Sequence, residues 1–528
     1  MAVGDSHDLD LGALEPGSGT PLYRQIADRI AAGIASGQLP PGTRLPTVRG
    51  FAKTLGVGVI TVAQAYEALR EANLASGQVG RGTFVRDRTA AETTPHASYL
   101  PSYVVPPIGD PEMLPPSPAL TLPPFPLPVR AARPNQLMTP AHRAGVISLA
   151  SGQPAADMLP VVHLKKAWKM AVDELDGDLL GYGPALGDPD LRLAIAERCA
   201  GWGFVASADD VMITTGGQQG IDLVARSLVG PGERVACEVP TFAAALDIFA
   251  AAGARIVPVA TDDQGMDMSS LAAVCERERP RLIYTVPTSH NPMGTVLPVD
   301  RRRAMLQIAA RHGILILEDD HCNPFVYDRE PPPPIKAGDT DGRVVYVWSA
   351  AKTVSPDLRV GAVIAGSPLM ARLTAMKMVT DRFTARLPQR ALIHYWGLGG
   401  GKTAVRDVAA MRATYRERRD AMLDALTASL LPYVDWLPPK SGLNVWLTLR
   451  DGLTAHEVTA VALAEGVATV AGEAFYPAGV DVAANRLRLT YADNRPEALI
   501  EGIHRLAYTF ERVTALGPTV RRAVTAPV

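Results

Sequence analysis

Lys352 is the residue in this 528-residue chain best placed for covalent chemistry. It follows the apolar run Val344 to Trp348 through Ser349-Ala350-Ala351, and Arg359 stands seven positions further on. A lysine in a partly buried, electropositive site has a depressed pKa, and its neutral amine attacks aldehydes. Three other groups stand just after comparable runs, and a fifth residue of interest lies further along the chain. Thr214-Thr215-Gly216-Gly217-Gln218-Gln219 passes from strand to helix, where free backbone N–H groups and the helix dipole suit a phosphate. Thr285-Val286-Pro287 leads to His290-Asn291-Pro292-Met293-Gly294, which offers Asn291 as a donor to a ring oxygen. Glu318-Asp319-Asp320 closes the run ILIL, and a buried carboxylate there needs a cation such as a protonated pyridine nitrogen. Arg488, in Leu487-Arg488-Leu489, is able to fork onto a carboxylate. Taken singly, each of these also reads as a plain turn or a structural pair. Together they are the groups that a pyridoxal phosphate site requires.

The elements that must position them are short, nearly continuous apolar runs: Val211 to Ile213, Val235 to Cys237, Leu282 to Tyr284, Ile314 to Leu317, Val344 to Trp348 and Val360 to Ala365. Runs of this kind read as parallel strands buried on both faces. Functional groups then collect in the crevice at the strands' carboxyl edge. Strands and helices alternate from about Gly145 to Val520, which predicts an α/β domain with a mostly parallel sheet. A smaller α+β subdomain is expected over approximately 405–515.

Upstream the chain changes character twice. Residues 89–144 hold Pro106-Pro107, Pro115-Pro116, Pro123-Pro124, Pro126 and Pro128, which preclude helix and favour an extended linker. Residues 20–88 read as a compact unit behind a polar tail, 1–19. Thr20-Pro21 predicts a helix start, and Leu22, Ile26, Ile30 and Ile34 give that helix one apolar face. Thr47 caps a second helix, Gly56 to Gly58 turn into a third, and Val79 to Val85 reads as a glycine-tipped hairpin. Three helices and a hairpin make a winged helix-turn-helix, which places its third helix in the major groove.

Bulk properties set limits. A net charge of -2 argues against a chain-wide polyanion-binding surface. Residues 20–88, however, carry nine Lys/Arg against four Asp/Glu, about +5, which suits phosphates. The four cysteines are widely spaced, without a disulfide or metal-ligand pattern, so a cytoplasmic protein with no metal site is expected. No uncharged run is long enough to span a membrane, and no signal peptide is visible.

The stretch YRQIADRIAAGIASGQLPPGTRLPTVRGFAKTLGVGVITVAQAYEAL…GRGTFV resembles the DNA-binding domain of GntR-type regulators. That resemblance implies DNA contacts from Arg49, Thr61, Gln64 and, at the wing tip, Arg81. Gly58-Val59 stands where many relatives carry Ser-Arg, so an expected base-reading arginine is missing. The series YG…GDPDLR…TTGGQQG…EVPTF…NPMG…EDD…SAAK…LRVG…LRLTYA resembles fold-type I pyridoxal-phosphate proteins of the class I aminotransferase group, from Gly145 onward. By that resemblance Lys352 is the Schiff-base lysine and Asp319 the partner of the pyridine nitrogen. Asn291 bonds the ring 3′-oxygen, and Gly217, Gln218, Ser349 and Arg359 cradle the phosphate. Phe242 stacks on the ring, Arg488 clamps an α-carboxylate, and Tyr182 reaches the neighbouring subunit's phosphate, which implies a homodimer. Relatives carry a tyrosine two or three residues after Asp319; here His321 and Cys322 stand there, with His321 the candidate substitute.

The two halves together resemble the MocR family of regulators. This resemblance implies a dimer that binds an operator near its own gene and senses pyridoxal phosphate, or an amino acid or amine joined to it. A second class stays open: a pyridoxal-phosphate enzyme, an aminotransferase or other amino-acid-transforming activity, that has kept a vestigial winged helix. Basic Arg49, Arg81, Arg86 and Arg88 favour the regulator, whereas Gly58-Val59 favours the enzyme.

Overall fold

The computed structural model describes residue 14 and residues 21–72, 74–78, 82–86, 145–450, 452–480 and 484–515. The chain forms two compact units. In the first, α1 (Leu22–Ala35), α2 (Val48–Leu55) and α3 (Val59–Glu71) precede β1 (Ala75–Gln78) and β2 (Gly82–Val85). Ile26 and Ile30 of α1 meet Phe51 of α2 and Val62, Ala65, Tyr66 and Leu69 of α3 in one buried core. The Thr47 hydroxyl accepts from Gly50 N–H at 3.2 Å and caps α2, and Gly56 ends it at φ +64°. The strands pair antiparallel with Gln78 opposite Gly82, so the expected hairpin begins earlier than the run from Val79. Helix α1 starts at Leu22 with Pro21 at the cap position, one residue later than the sequence suggests. Thr20, Arg81, Arg88, the tail apart from Leu14, and the proline-rich linker lie outside the described residues.

The second unit opens with β3 (Ile147–Ser148) and contains one large sheet. Its strands are β4 (Val211–Thr214), β5 (Arg234–Val239), β6 (Arg255–Asp262), β7 (Gly265–Met266), β8 (Leu282–Thr285), β9 (Leu315–Asp320), β10 (Val344–Ser349) and β11 (Gly361–Ile364). Their spatial order is β4-β11-β10-β9-β8-β5-β6-β7. Pairings β10–β9, β9–β8, β8–β5 and β5–β6 are parallel. The sequence pattern predicts a parallel strand over Val360 to Ala365 as well, but β11 is antiparallel to both β10 and β4. The reason is length. Residues 350–360 hold only a short 3-10 turn, and a parallel return needs a crossover of a dozen or more residues. That reversal brings residues 359–361 back against the end of β4, at the turn whose glycines suit a phosphate.

Beyond the 28-residue helix Lys402–Ser429 lies a smaller sheet. It contains β12 (Val434–Trp436), β13 (Asn444–Leu449), β15 (Val470–Ala471) and β16 (Arg486–Thr490), while β14 (Val467–Ala468) pairs with β3. The core beneath it draws in Leu149, Cys322, Phe325 and Tyr327 from earlier in the chain. Among the described residues, no helix is long and apolar enough to cross a membrane.

Candidate functional site

The turn after β4 is shaped by three glycines. Gly216 adopts φ +96°, and the helix Gly217–Leu228 starts at once, leaving its first N–H groups without helical partners. A Cβ on Gly216 would meet the Arg359 guanidinium at 3.1 Å, and one on Gly361 would lie 2.7 Å from the Gly216 carbonyl carbon. Arg359 Nη2 donates to Thr215 O at 2.7 Å. The position of a Cβ on Gly217 lies 3.5 Å from Ser349 Cβ. Gly217, Ser349 and Arg359 are therefore brought together at this turn. Gln218 is exposed there, whereas the neighbouring Gln219 holds the turn: Thr215 N–H donates to its Oε1 at 2.7 Å. Gln219 Nε2 donates to Asp381 at 2.6 Å, and Asp381 also receives the fully buried Lys377 at 2.9 Å. Sequence reasoning missed this anchor, since Asp381 lies 162 positions further along the chain.

Strand alternation separates the three acids at the end of β9. Glu318 accepts from the backbone of Ile335 at 2.8 Å and Lys336 at 2.9 Å, and Asp320 accepts from Tyr346 at 2.7 Å and Asn323 at 2.8 Å. Both are structural. Asp319 lies on the opposite face, 3% exposed, with one oxygen accepting the Tyr284 hydroxyl at 2.9 Å and the other 3.7 Å from His321 Nδ1. Tyr284 is a second residue that the sequence did not single out; its place inside the run LIYT reads as core. Burial disfavours a charge on His321, but Cys322 and Asp319 outweigh it and raise its pKa well above the ordinary value. Cys322 itself packs into the small-subdomain core.

Behind this face, Glu238 is 1% exposed and lies 3.5 Å from His290 Nε2. Burial, with the Asp319 charge adding to it, pushes the Glu238 carboxyl up to about 8, against bonds from Val286 N–H and the Thr285 hydroxyl. Burial pushes His290 down to about 3, so the imidazole is neutral. The folded protein therefore keeps a proton on Glu238 that the unfolded chain releases near 4.5, and stability falls as pH rises from there through about 8. Glu238→Gln should remove that loss. Its melting temperature should overtake the wild type's between about pH 5 and pH 8, by an amount equivalent to roughly 3 kcal/mol. Parallel curves across that range would show that Glu238 is ionised throughout.

Lys352 and Arg488 meet the same short segment. Lys352 Nζ donates to Gly152 O at 2.6 Å, and Arg488 Nη2 donates to Ala150 O. Burial lowers the Lys352 pKa; Arg488 adds to that, while Cys322 and Asp493 oppose it. Arg488 sits on β16 with its guanidinium 5.1 Å from the Phe475 ring centre, and burial pushes it down to about 10. Its buried Nε has no partner among the described residues, nor does the buried amide oxygen of Asn291. Phe242 lies half-buried at the start of the helix Ala243–Ala251, and the adjoining Thr241 N–H donates to Phe475 O at 2.9 Å. Tyr182 stands apart from these groups at 79% exposed, packed on Phe383 and beneath Arg382.

These features fit a phosphorylated pyridine aldehyde. There is a glycine-lined turn that leaves no room for a Cβ at Gly361, a buried carboxylate, and a lysine whose pKa burial lowers. Arg488 and Asn291 each leave a buried polar atom open to a ligand.

In the N-terminal unit Arg49 and Gln64 are exposed, while Thr61 is half-buried at the start of α3.

The chain matches the family "Aminotransferase class I and II" over residues 144–506 and "Bacterial regulatory proteins, gntR family" over residues 22–85. It is 30% identical to the HTH-type transcriptional regulator TauR of Rhodobacter capsulatus, covering 94% of this chain and 97% of TauR. It is 27% identical to the probable rhizopine catabolism regulatory protein MocR of Rhizobium meliloti, over 97% of this chain and 99% of that protein. Among solved structures, it superposes on LysN, an α-aminoadipate aminotransferase of Thermus thermophilus complexed with N-(5′-phosphopyridoxyl)-L-leucine. The TM-score is 0.67 at 31% identity, covering 74% of this chain and 98% of LysN.

Proposed function

We propose, on the premise that this chain belongs to the aminotransferase class I and II family and carries a gntR-family domain ahead of it, that it is a MocR-type transcription regulator. Pyridoxal 5′-phosphate is its cofactor. The observation that carries the regulatory reading is the match to HTH-type regulators along nearly the whole chain, across both domains. The division we adopt is a winged helix at 20–88, a linker at 89–144 and the cofactor domain at 145–528, in a cytoplasmic homodimer.

When bound, pyridoxal phosphate supplies an aldehyde that condenses with amines and a ring that withdraws electrons. The protein's own residues supply the rest. Ser349, Arg359 and the N–H groups of Gly217 and Gln218 take the phosphate, completed by the partner subunit's Tyr182. Asp319, oriented by Tyr284 and accompanied by His321, faces the ring nitrogen; Asn291 takes the 3′-oxygen, and Phe242 covers the ring. Burial and Arg488 lower the Lys352 pKa, which favours the neutral amine that condenses with an aldehyde. Arg488, with its Nε open, takes the α-carboxylate of an amino acid effector. An effector whose carboxylate engaged Arg488, beside Lys352, would interact differently with alternative states of the site, and such a difference is what biases a conformational equilibrium.

The test is DNA binding by the full-length, cofactor-loaded protein, titrated against its own upstream region and a scrambled duplex at two salt concentrations. Sequence-specific binding is expected. Arg49→Ala should weaken it about tenfold and flatten the salt slope by about one. Equal binding to both duplexes would instead favour the enzyme reading and turn attention to amino-acid turnover at Lys352.

A further inference from the structure

Helix α3 begins with Val59-Ile60 directly after Gly58, which stands at its cap position. In the folded unit these side chains are not core. Val59 is 48% and Ile60 75% exposed, while Val62, Ala65, Tyr66 and Leu69 take the buried side of α3. Ile60, Ala63, Gln64 and Glu67 are spaced three and four apart, so they share one helix face, and all four are exposed. That face has an apolar tip at the helix N-terminus, an amide in the middle, and then Glu67 paired with Arg70. A branched aliphatic left in water at a helix tip gains nothing from the fold that carries it.

Resting on the regulatory reading above, we infer that Ile60, with Val59 and Ala63, reads thymine methyl groups in the major groove, and that Gln64 reads the adenine edge beside them. The occupant is duplex DNA for two reasons. Residues 20–88 carry about +5 in charge, with Arg49 and Lys53 exposed on the adjoining helix α2, and α3 has no acidic residue in its first turn to repel phosphate. The chemistry on the exposed face also matches one base pair. The C5-methyl of thymine is the apolar group that the major groove displays, and glutamine is suited to the N6 and N7 atoms of adenine. With no arginine in the first turn of α3 to take a guanine edge, the preference turns toward A·T pairs.

The test uses the full-length, cofactor-loaded protein and a random-sequence duplex library at fixed salt, followed by uracil-for-thymine replacement in the enriched duplexes. Fixed A·T pairs are expected in the enriched sites. Each methyl removed at a contacted thymine should cost the wild type about fourfold in affinity. In Ile60→Ala that cost should shrink toward unity, and the double comparison separates a methyl contact from a change in DNA stiffness. Ile60 is solvent-exposed, so the variant should fold as the wild type does. Fixed G·C pairs, or an equal uracil cost in both proteins, would overturn the inference. So would an Ile60→Ala protein that binds DNA unchanged but loses self-association, since the patch would then be a protein contact. If no sequence enriches, the DNA-binding reading itself fails, and that result is visible before any uracil is introduced.

Discussion

Lys352→Ala should leave the protein folded but unable to hold pyridoxal phosphate covalently. In the wild type, borohydride reduction followed by peptide mass analysis should place the cofactor's mass on the Lys352 peptide, and dialysis should remove little cofactor. In the variant that mass should vanish. Retention should fall by at least about a hundredfold, on the order of 2.8 kcal/mol, because only the cradle and the ring contacts remain. The fold should survive because the side chain gives up one hydrogen bond, to Gly152 O, and is only half-buried. Arg359, Asp319 and Asn291 are untouched, so weak, reversible binding should persist. A variant that still carried the mass, on another lysine, would show that the covalent site has been misplaced.

Gly361→Ala should be the most damaging single methyl at the site. Its Cβ would lie 2.7 Å from the Gly216 carbonyl carbon and 2.9 Å from both Gly216 Cα and Gly217 N. Those are backbone atoms of the turn itself, so no rotamer change relieves the contact. Strand β11 has little freedom to retreat, because Gly361 is paired with Ser349 on one side and Thr214 on the other. Overpacking of this kind costs about 1–3 kcal/mol, here taken up by opening the cradle. Cofactor affinity and melting temperature should therefore drop together. Gly366→Ala is the matched control, since a Cβ there meets nothing within 4 Å, and it should behave as the wild type. Unchanged phosphate binding by Gly361→Ala would mean that the anion does not sit in this turn.

Much of this architecture is legible in the residues themselves. The apolar runs mark six of the eight described strands of the large sheet because burial on both faces demands them, whereas β6 and β7, at one edge of the sheet, are not singled out. Gly217, Asp319, Ser349 and Lys352 can be singled out because a strand-to-helix turn, a carboxylate closing an apolar run and a lysine just past one each have local signatures. The same holds for α1 to α3, whose periodicity separates the core side from the outer side.

What the tertiary structure alone decided was pairing between distant segments. The reversal of β11 depends on a connection too short for a crossover, and it is what returns Arg359 to the turn after β4. Tyr284 orients Asp319, Gln219 ties the turn to Asp381, and Phe475 lies beneath Arg488. None of these partners is near in sequence. Exposure, too, was settled only by folding. Thr61 is half-buried while Ile60 faces outward, and Cys322, just past the end of β9, turns into the core of the smaller subdomain. Local pattern determines which residues can face one another, since it follows from the backbone's own repeat. Which of them do so depends on long-range packing, to which the repeat is blind.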